Sequence, residues 1–170
     1  MAATTSLITV EDYLKMSADP DCEYGAGVVE ERPGGEYDHS TWQAILVSFF
    51  SGRAEEWGIK ARPELRVQVA ADSFRVPDVT ILSREARREQ VITHPPPAVF
   101  EILSPEDSMT RMLEKLAEYE QMGISALWVI EPKRQLYYGY CKGQLAPGTI
   151  FELPGTAFSV PFAEIAALLD

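Results

Sequence analysis

Phe74-Arg75-Val76-Pro77-Asp78-Val79-Thr80-Ile81-Leu82 and, after a polar loop, Pro95-Pro96-Pro97-Ala98-Val99-Phe100-Glu101-Ile102-Leu103 decide how this chain folds. Each half is a short run of β-branched and apolar residues, the composition of a strand, and each carries a single carboxylate, Asp78 or Glu101. A carboxylate in an apolar strand is expensive to bury unless it is paired, protonated or bound to a cation. Two of them in neighbouring strands therefore point to a cation between them.

Working upstream, Leu65, Val67 and Val69 alternate with Arg66, Gln68 and Ala70, the period-2 mark of a half-buried strand. Ala71-Asp72-Ser73 turns it into the Asp78 strand as a hairpin. Trp42, Ile45, Leu46, Phe49, Phe50 and Trp57 form a wide helical stripe across residues 38–57, with Gly58 as the stop. Residues 23–31 read as a strand with a turn at Gly25-Ala26-Gly27, bounded by Asp19-Pro20-Asp21 and Pro33-Gly34-Gly35. Thr9 is an N-cap for a short helix to about Met16, with Glu11 and Asp12 at its positive end.

Downstream of Glu101, the residues Met109, Met112, Leu113, Leu116 and Tyr119 mark a second amphipathic helix closed by Gly123. Ala126-Leu127-Trp128-Val129-Ile130 is apolar throughout, as expected of a strand covered on both faces, and Leu136-Tyr137-Tyr138-Gly139-Tyr140 is its expected partner. An extended segment over residues 150–153 and a helix over 161–169 follow. The order implies an α/β chain whose central sheet has helices on both faces.

The chain has 170 residues, 46% of them hydrophobic, which suits one domain over 1–170 with a sizeable core. Lys and Arg number 15 against 26 Asp and Glu, a net charge of -11, so most of the surface repels nucleic acid and anionic membrane. Any DNA must be met by a local basic patch. Cys22 and Cys141 match no metal or redox spacing and are expected to be reduced. No basic-then-apolar leader and no apolar run of membrane-spanning length is seen, so the expected location is cytoplasmic. Nor is there a Gly-rich phosphate loop, a serine nucleophile elbow or a zinc spacing.

The series of motifs resembles the Uma2 family of bacterial endonucleases, within the PD-(D/E)xK restriction-endonuclease-like superfamily. The resemblance runs through Thr9-Val10-Glu11-Asp12-Tyr13-Leu14, the segment Glu23 to Pro33 with Gly27, His39, Val76-Pro77-Asp78 and Val99-Phe100-Glu101-Ile102-Leu103-Ser104-Pro105. It continues through Glu114-Lys115-Leu116-Ala117-Glu118-Tyr119 and Leu127-Trp128-Val129-Ile130-Glu131-Pro132. It implies a restriction-endonuclease-like core, a mixed central sheet flanked by helices, and a Mg2+- or Mn2+-dependent nuclease that hydrolyses DNA phosphodiester bonds. Two positions depart from the pattern: Leu103 stands where the motif has Lys, and Arg111 stands where the family has Asp. The alternative these departures raise is a nuclease scaffold retained as a binding or interaction module.

On the nuclease reading, Asp78 and Glu101 are the direct metal ligands, the Ile102 carbonyl is a third, and Lys115 acts on water or phosphate in place of the lysine missing at 103. Lys115 lies three residues after Met112 and four before Tyr119, so it stands on the margin of the buried helical stripe, where its stem can follow the apolar surface. The competing reading makes it an exposed cation beside Glu114 or Glu118, has Asp78 simply end a strand, and pairs Glu101 with Arg75 or Lys115 across the sheet. Glu23 and His39 are accessory candidates, against a solvated strand-edge glutamate and a helix-capping histidine. Arg84, Arg87 and Arg88 are the first candidates for DNA contact, with Arg53, Lys60, Arg62 and Arg66 the second, giving weak, salt-sensitive binding. A homodimer is expected, with the aromatic segment at residues 137–140 as one possible sticky edge.

Overall fold

The computed structural model describes residues 7–17, 21–32 and 35–169. The breaker residues Asp19 and Pro20, and Pro33 and Gly34, lie outside the described residues. In chain order the elements are α1 (Val10–Lys15), β1 (Glu23–Gly25), β2 (Val28–Glu30), α2 (Tyr37–Gly52), α3 (Ala54–Trp57), β3 (Ile59–Pro63), β4 (Val67–Ala70), β5 (Ser73–Arg75) and β6 (Val79–Ser83). Then come β7 (Ala98–Ile102), α4 (Met109–Met122), β8 (Ala126–Glu131), β9 (Leu136–Cys141), β10 (Gln144–Pro147), β11 (Ile150–Glu152), β12 (Ser159–Pro161) and α5 (Phe162–Ala166).

The fold is α+β, with a mixed central sheet flanked by helices. Six strands in the order β10-β9-β8-β7-β6-β3 form that sheet, and β2-β1-β5-β4 form a smaller one. All pairs in the large sheet are antiparallel except β7 with β8, which run parallel and are joined through α4. A parallel pair cannot be closed by a tight turn and needs such a crossover.

Several local expectations are met for the stated reasons. Thr9 accepts from the Asp12 backbone N–H and caps α1. Gly123 closes α4 in the left-handed region at φ 102°, where a side chain would be strained. Other expectations are corrected. The helix expected over 38–57 breaks at Arg53 into α2 and α3. Strand β3 follows Gly58 directly, and β10 and β12 are further strands that the apolar pattern did not mark. The run around Asp78 is two strands: β5 pairs in the small sheet, and the chain crosses at Val76-Pro77-Asp78 into β6 of the large one. Proline removes a ladder donor at the point where pairing changes partner. The aromatic segment is β9, interior to the sheet between β8 and β10, so the edge on that side is β10 and β3 forms the other.

The alternation of β7 positions the site. Ala98, Phe100 and Ile102 face the core built with α2 and the C-terminal segment, where Phe100 meets Phe50 and Phe151 at 5.4 and 5.2 Å. Val99 faces the opposite way, into the core beneath α4 with Met112, Leu116 and Tyr119. With a side-chain period of two, Glu101 shares that α4 face.

Candidate functional site

The site forms where β6, β7 and α4 meet the small sheet. Strands β6 and β7 pair with Val79 opposite Phe100, so one step further sets Asp78 opposite Glu101 on the same face. Both acids are almost wholly buried, 3% and 1% exposed. Both line an open cleft of about 410 Å³ with Glu23, Arg32, His39 and Lys115.

Each carboxylate has a distinct set of partners. Asp78 accepts from the Ile102 backbone N–H at 2.7 Å through one oxygen, and from Arg32 Nη2 at 2.7 Å through the other. His39 Nε2 lies 3.2 Å from that second oxygen. Glu101 accepts from the Tyr119 hydroxyl at 2.7 Å and from Lys115 Nζ at 3.1 Å. Glu23 stands 2.9 Å from Lys115 Nζ and accepts from the Val76 N–H and Arg75 Nη1. Lys115 therefore spans two buried acids instead of pairing with its helix neighbours. Behind it, Arg75 makes two hydrogen bonds to Glu118 of α4 and also reaches Glu30, tying helix to small sheet.

These contacts sort the protonation states. Burial would raise Asp78, but His39, Lys115 and Arg32 outweigh it and hold its carboxyl below the usual range. Burial would likewise raise Glu23, and the Lys115 ammonium with the Val76 N–H and Arg75 brings it down. Glu101 goes the other way: burial, reinforced by the negative charges of Asp78 and Glu23, pushes it up to about 7 against the pull of Lys115 and Tyr119. Burial works against the Lys115 ammonium, yet Glu101, Glu23 and Asp78 raise it above its ordinary value. Burial also opposes the charged form of His39, but the bond to Asp78 raises its pKa.

The structure thus brings Asp78, Glu101, Ile102, Lys115, Glu23 and His39 to one place. Two of the bland alternatives are corrected: Glu23 is 2% exposed and ion-paired, and His39 sits in the first turn of α2 against Asp78, while the N-cap is Glu36. Arg84, Arg87 and Arg88 do not line the cleft. They follow the far end of β6, which puts Arg84 roughly 20 Å from Asp78 at about 3.3 Å per residue, with Arg87 and Arg88 in the loop beyond. Arg84 pairs there with Glu55 at 3.4 Å. The second basic group is engaged elsewhere: Arg66 with Asp21, Arg53 over the Phe49 ring, and Lys60 and Arg62 on backbone carbonyls. Arg32 and Tyr119 are site contacts that the sequence did not single out as such, and Arg75, expected as one partner of Glu101, pairs with Glu23, Glu30 and Glu118 instead. Tyr119 belonged to the apolar stripe, and Arg32 carries no signal of its own within residues 23–33.

Among the described residues, no group of three or more His, Cys, Asp or Glu is arranged to hold a metal ion. The donor set still fits a hard divalent cation bound by two carboxylates and otherwise by water. A carboxylate offers about four lone-pair positions. Asp78 uses three here and Glu101 two, which leaves oxygen-only donors of the kind Mg2+ prefers. Leu103, in the place of the motif lysine, packs against the α4 core, and Lys115 brings an ammonium to Glu101 from the helix instead.

Comparison with known proteins bears on the fold and the family. A crystal structure titled as a putative nuclease belonging to DUF820, from Anabaena variabilis ATCC 29413, superposes with a TM-score of 0.79 at 22% identity. The match covers 94% of this chain and 98% of that one, and shows a shared fold. No curated protein matches the chain. Among the described residues no helix is long and apolar enough to cross a membrane. The profile of Uma2, described as "Putative restriction endonuclease", matches residues 10–164, and the chain belongs to that family.

Proposed function

We propose that this chain is a cytoplasmic, Mg2+- or Mn2+-dependent endonuclease that hydrolyses DNA phosphodiester bonds. The observation that carries the reading is the Lys115 ammonium held 2.9 Å from Glu23 and 3.1 Å from Glu101 at an open cleft shared with Asp78. Buried acids and a buried cation on three separate elements are costly to a scaffold that only needs to fold. Membership of a nuclease family gives the arrangement a purpose.

In this proposal Asp78, Glu101 and the Ile102 carbonyl hold the cation. A divalent ion there would neutralise phosphate charge and acidify a coordinated water. Lys115, its pKa raised by three acids, stays protonated near neutrality. It serves as a positive hydrogen-bond donor to water or phosphate and not as a base. Glu23 and Arg75 fix its position, and Tyr119 and the Ile102 N–H fix the two acids.

Seven carboxylates line the cleft against Arg32, Arg111 and Lys115, so a polyanion meets repulsion until a cation is bound. Weak, salt-sensitive DNA binding that improves with divalent cation is the consequence. A homodimer paired along the β10 edge would offer two clefts to two strands, and sedimentation equilibrium tests that part separately.

The main test is relaxation of supercoiled plasmid with Mg2+ or Mn2+. Wild type should nick it, Asp78→Ala should not, and Lys115→Met should lose cleavage while keeping calorimetric cation binding. Equal nicking by wild type and Asp78→Ala would overturn the assignment.

A further inference from the structure

The most exposed question in the cleft is what Arg32 does. It comes from the segment after β2, far in sequence from the strands that carry the acids, and its side chain is only 10% exposed. Nη2 donates to Asp78 at 2.7 Å and Nη1 lies 3.5 Å from Glu64, a half-exposed residue at the cleft wall. A guanidinium beside an acid assigned to a divalent ion is a competitor. It fills a lone-pair position of the same oxygen and repels any cation brought to that carboxylate. Lys115 stands differently, since its ammonium is shared between Glu23 and Glu101, and Glu23 is itself held by Arg75. Among the described residues Arg32 makes no direct contact with a second buried acid, and Glu101 and Glu23 attract it only from further off. Glu64 at 3.5 Å is its only other ion pair among the described residues.

We propose that Arg32 is the counter-ion that Asp78 gives up when the cleft takes a divalent cation, and that the released guanidinium then binds a phosphate oxygen of the substrate. The proposal rests on the divalent-cation reading above. It joins the two halves of that reading. In the metal-free protein the pair compensates a buried carboxylate that His39 and one backbone N–H satisfy only in part. Once a cation takes over that compensation, Arg32 loses its main partner but stays in a cleft otherwise rich in carboxylates. A planar, permanently charged fork suits phosphate there. Metal loading thereby turns an internal ion pair into a substrate contact, so affinity for DNA depends on the cation twice.

Three variants and two readouts test this. Arg32→Met removes the charge and keeps the stem; Arg32→Lys keeps a charge; Arg111→Met removes a cleft cation that pairs with Glu30 and not with Asp78. Calorimetric titration with Mn2+ should show Arg32→Met binding about tenfold more tightly than wild type, a difference of about 1.4 kcal/mol. Arg32→Lys should fall between them, and Arg111→Met should change affinity far less. The metal-free melting temperature of Arg32→Met should drop at the same time. Fluorescence anisotropy with labelled duplex and Ca2+ should then show Arg32→Met binding DNA less tightly than wild type despite holding the cation better. Cation affinity equal in wild type and Arg32→Met overturns the counter-ion role while leaving the metal site standing. No Mn2+ heat from either protein overturns the metal site and this inference together. Tighter cation binding with DNA affinity unchanged overturns the phosphate contact.

Discussion

Strand β7 shows two proteins in one. On its α2 face, Ala98, Phe100 and Ile102 enter a dry core of stacked and tilted rings, with Phe50, Phe100 and Phe151 mutually within 5.2 to 5.4 Å. On its α4 face, Val99 is apolar but Glu101, two residues on, joins an ionic lattice of Lys115, Glu23, Arg75 and Glu118. The difference teaches that alternate residues of one strand carry stability and chemistry separately. The aromatic face stabilises by area and dispersion, independent of pH and salt. The ionic face gains little net stability, because removing charges from water nearly cancels their attraction.

The comparison is tested most severely on the dry face. Phe100→Ala should cost about 3–5 kcal/mol, a large share of the 5–15 kcal/mol typical of a domain. The penalty should be the same at pH 5 and pH 8, since no titrating group touches the ring. Urea denaturation at both pH values measures it. A cost that varies strongly with pH would mean that the two faces are coupled.

On the ionic face the expected effect is smaller and depends on pH. Glu101 is raised to about 7, so its share of stability is complete below its unfolded value near 4.5 and is lost as pH rises through about 7. His39, also raised, loses its share as pH climbs past its ordinary value of 6.5. Asp78 and Glu23 are lowered, so they stabilise above their unfolded values near 4 and lose that contribution as pH falls. Metal-free protein should therefore melt highest at roughly pH 4.5 and lose stability as pH rises through about 7. Glu101→Gln mimics the protonated acid and should flatten the alkaline limb, melting above wild type at pH 8 without cation. Adding Mg2+ should stabilise wild type more than the variant at that pH. A variant that melts below wild type at pH 8 without cation would show that the Glu101 charge is already compensated.

What the sequence made legible follows the same division. Period-2 and helical spacing marked the strands and helices that bury wide apolar faces, and a lone acid in each of two apolar runs marked Asp78 and Glu101. Lys115 could be placed because its position on the α4 stripe follows from spacing alone. Strand β3 was missed because Ile59-Lys60-Ala61-Arg62-Pro63 offers only two small-to-medium apolar residues on its buried face. The short β10 and β12 lie at edges and bury little. Arg32, and the acids that Arg75 pairs with, were out of reach for a different reason. A basic residue has no periodic signature, and its partner is fixed by long-range pairing between elements that local sequence does not connect.

The smallest expected effect lies far from the cleft, at the other end of β6. Arg84, Arg87 and Arg88 are exposed, and the strand between sets Arg84 roughly 20 Å from Asp78, with the other two in the loop beyond it. That is too far to touch the phosphate being cut but within reach of a duplex running past the cleft. If they meet such a duplex, each neutralised phosphate releases about one counterion, so log affinity should lose about 0.9 of its salt slope per contact removed. The triple alanine should weaken DNA binding equally for all sequences, leave cation affinity unchanged, and slow cleavage only below saturating DNA. Arg84 already spends part of its charge on Glu55, so fewer than three contacts should register. Anisotropy measured across a salt series decides between contact and solvated surface: a variant with the wild-type slope removes this cluster from the DNA path and leaves the cleft to bind the substrate alone.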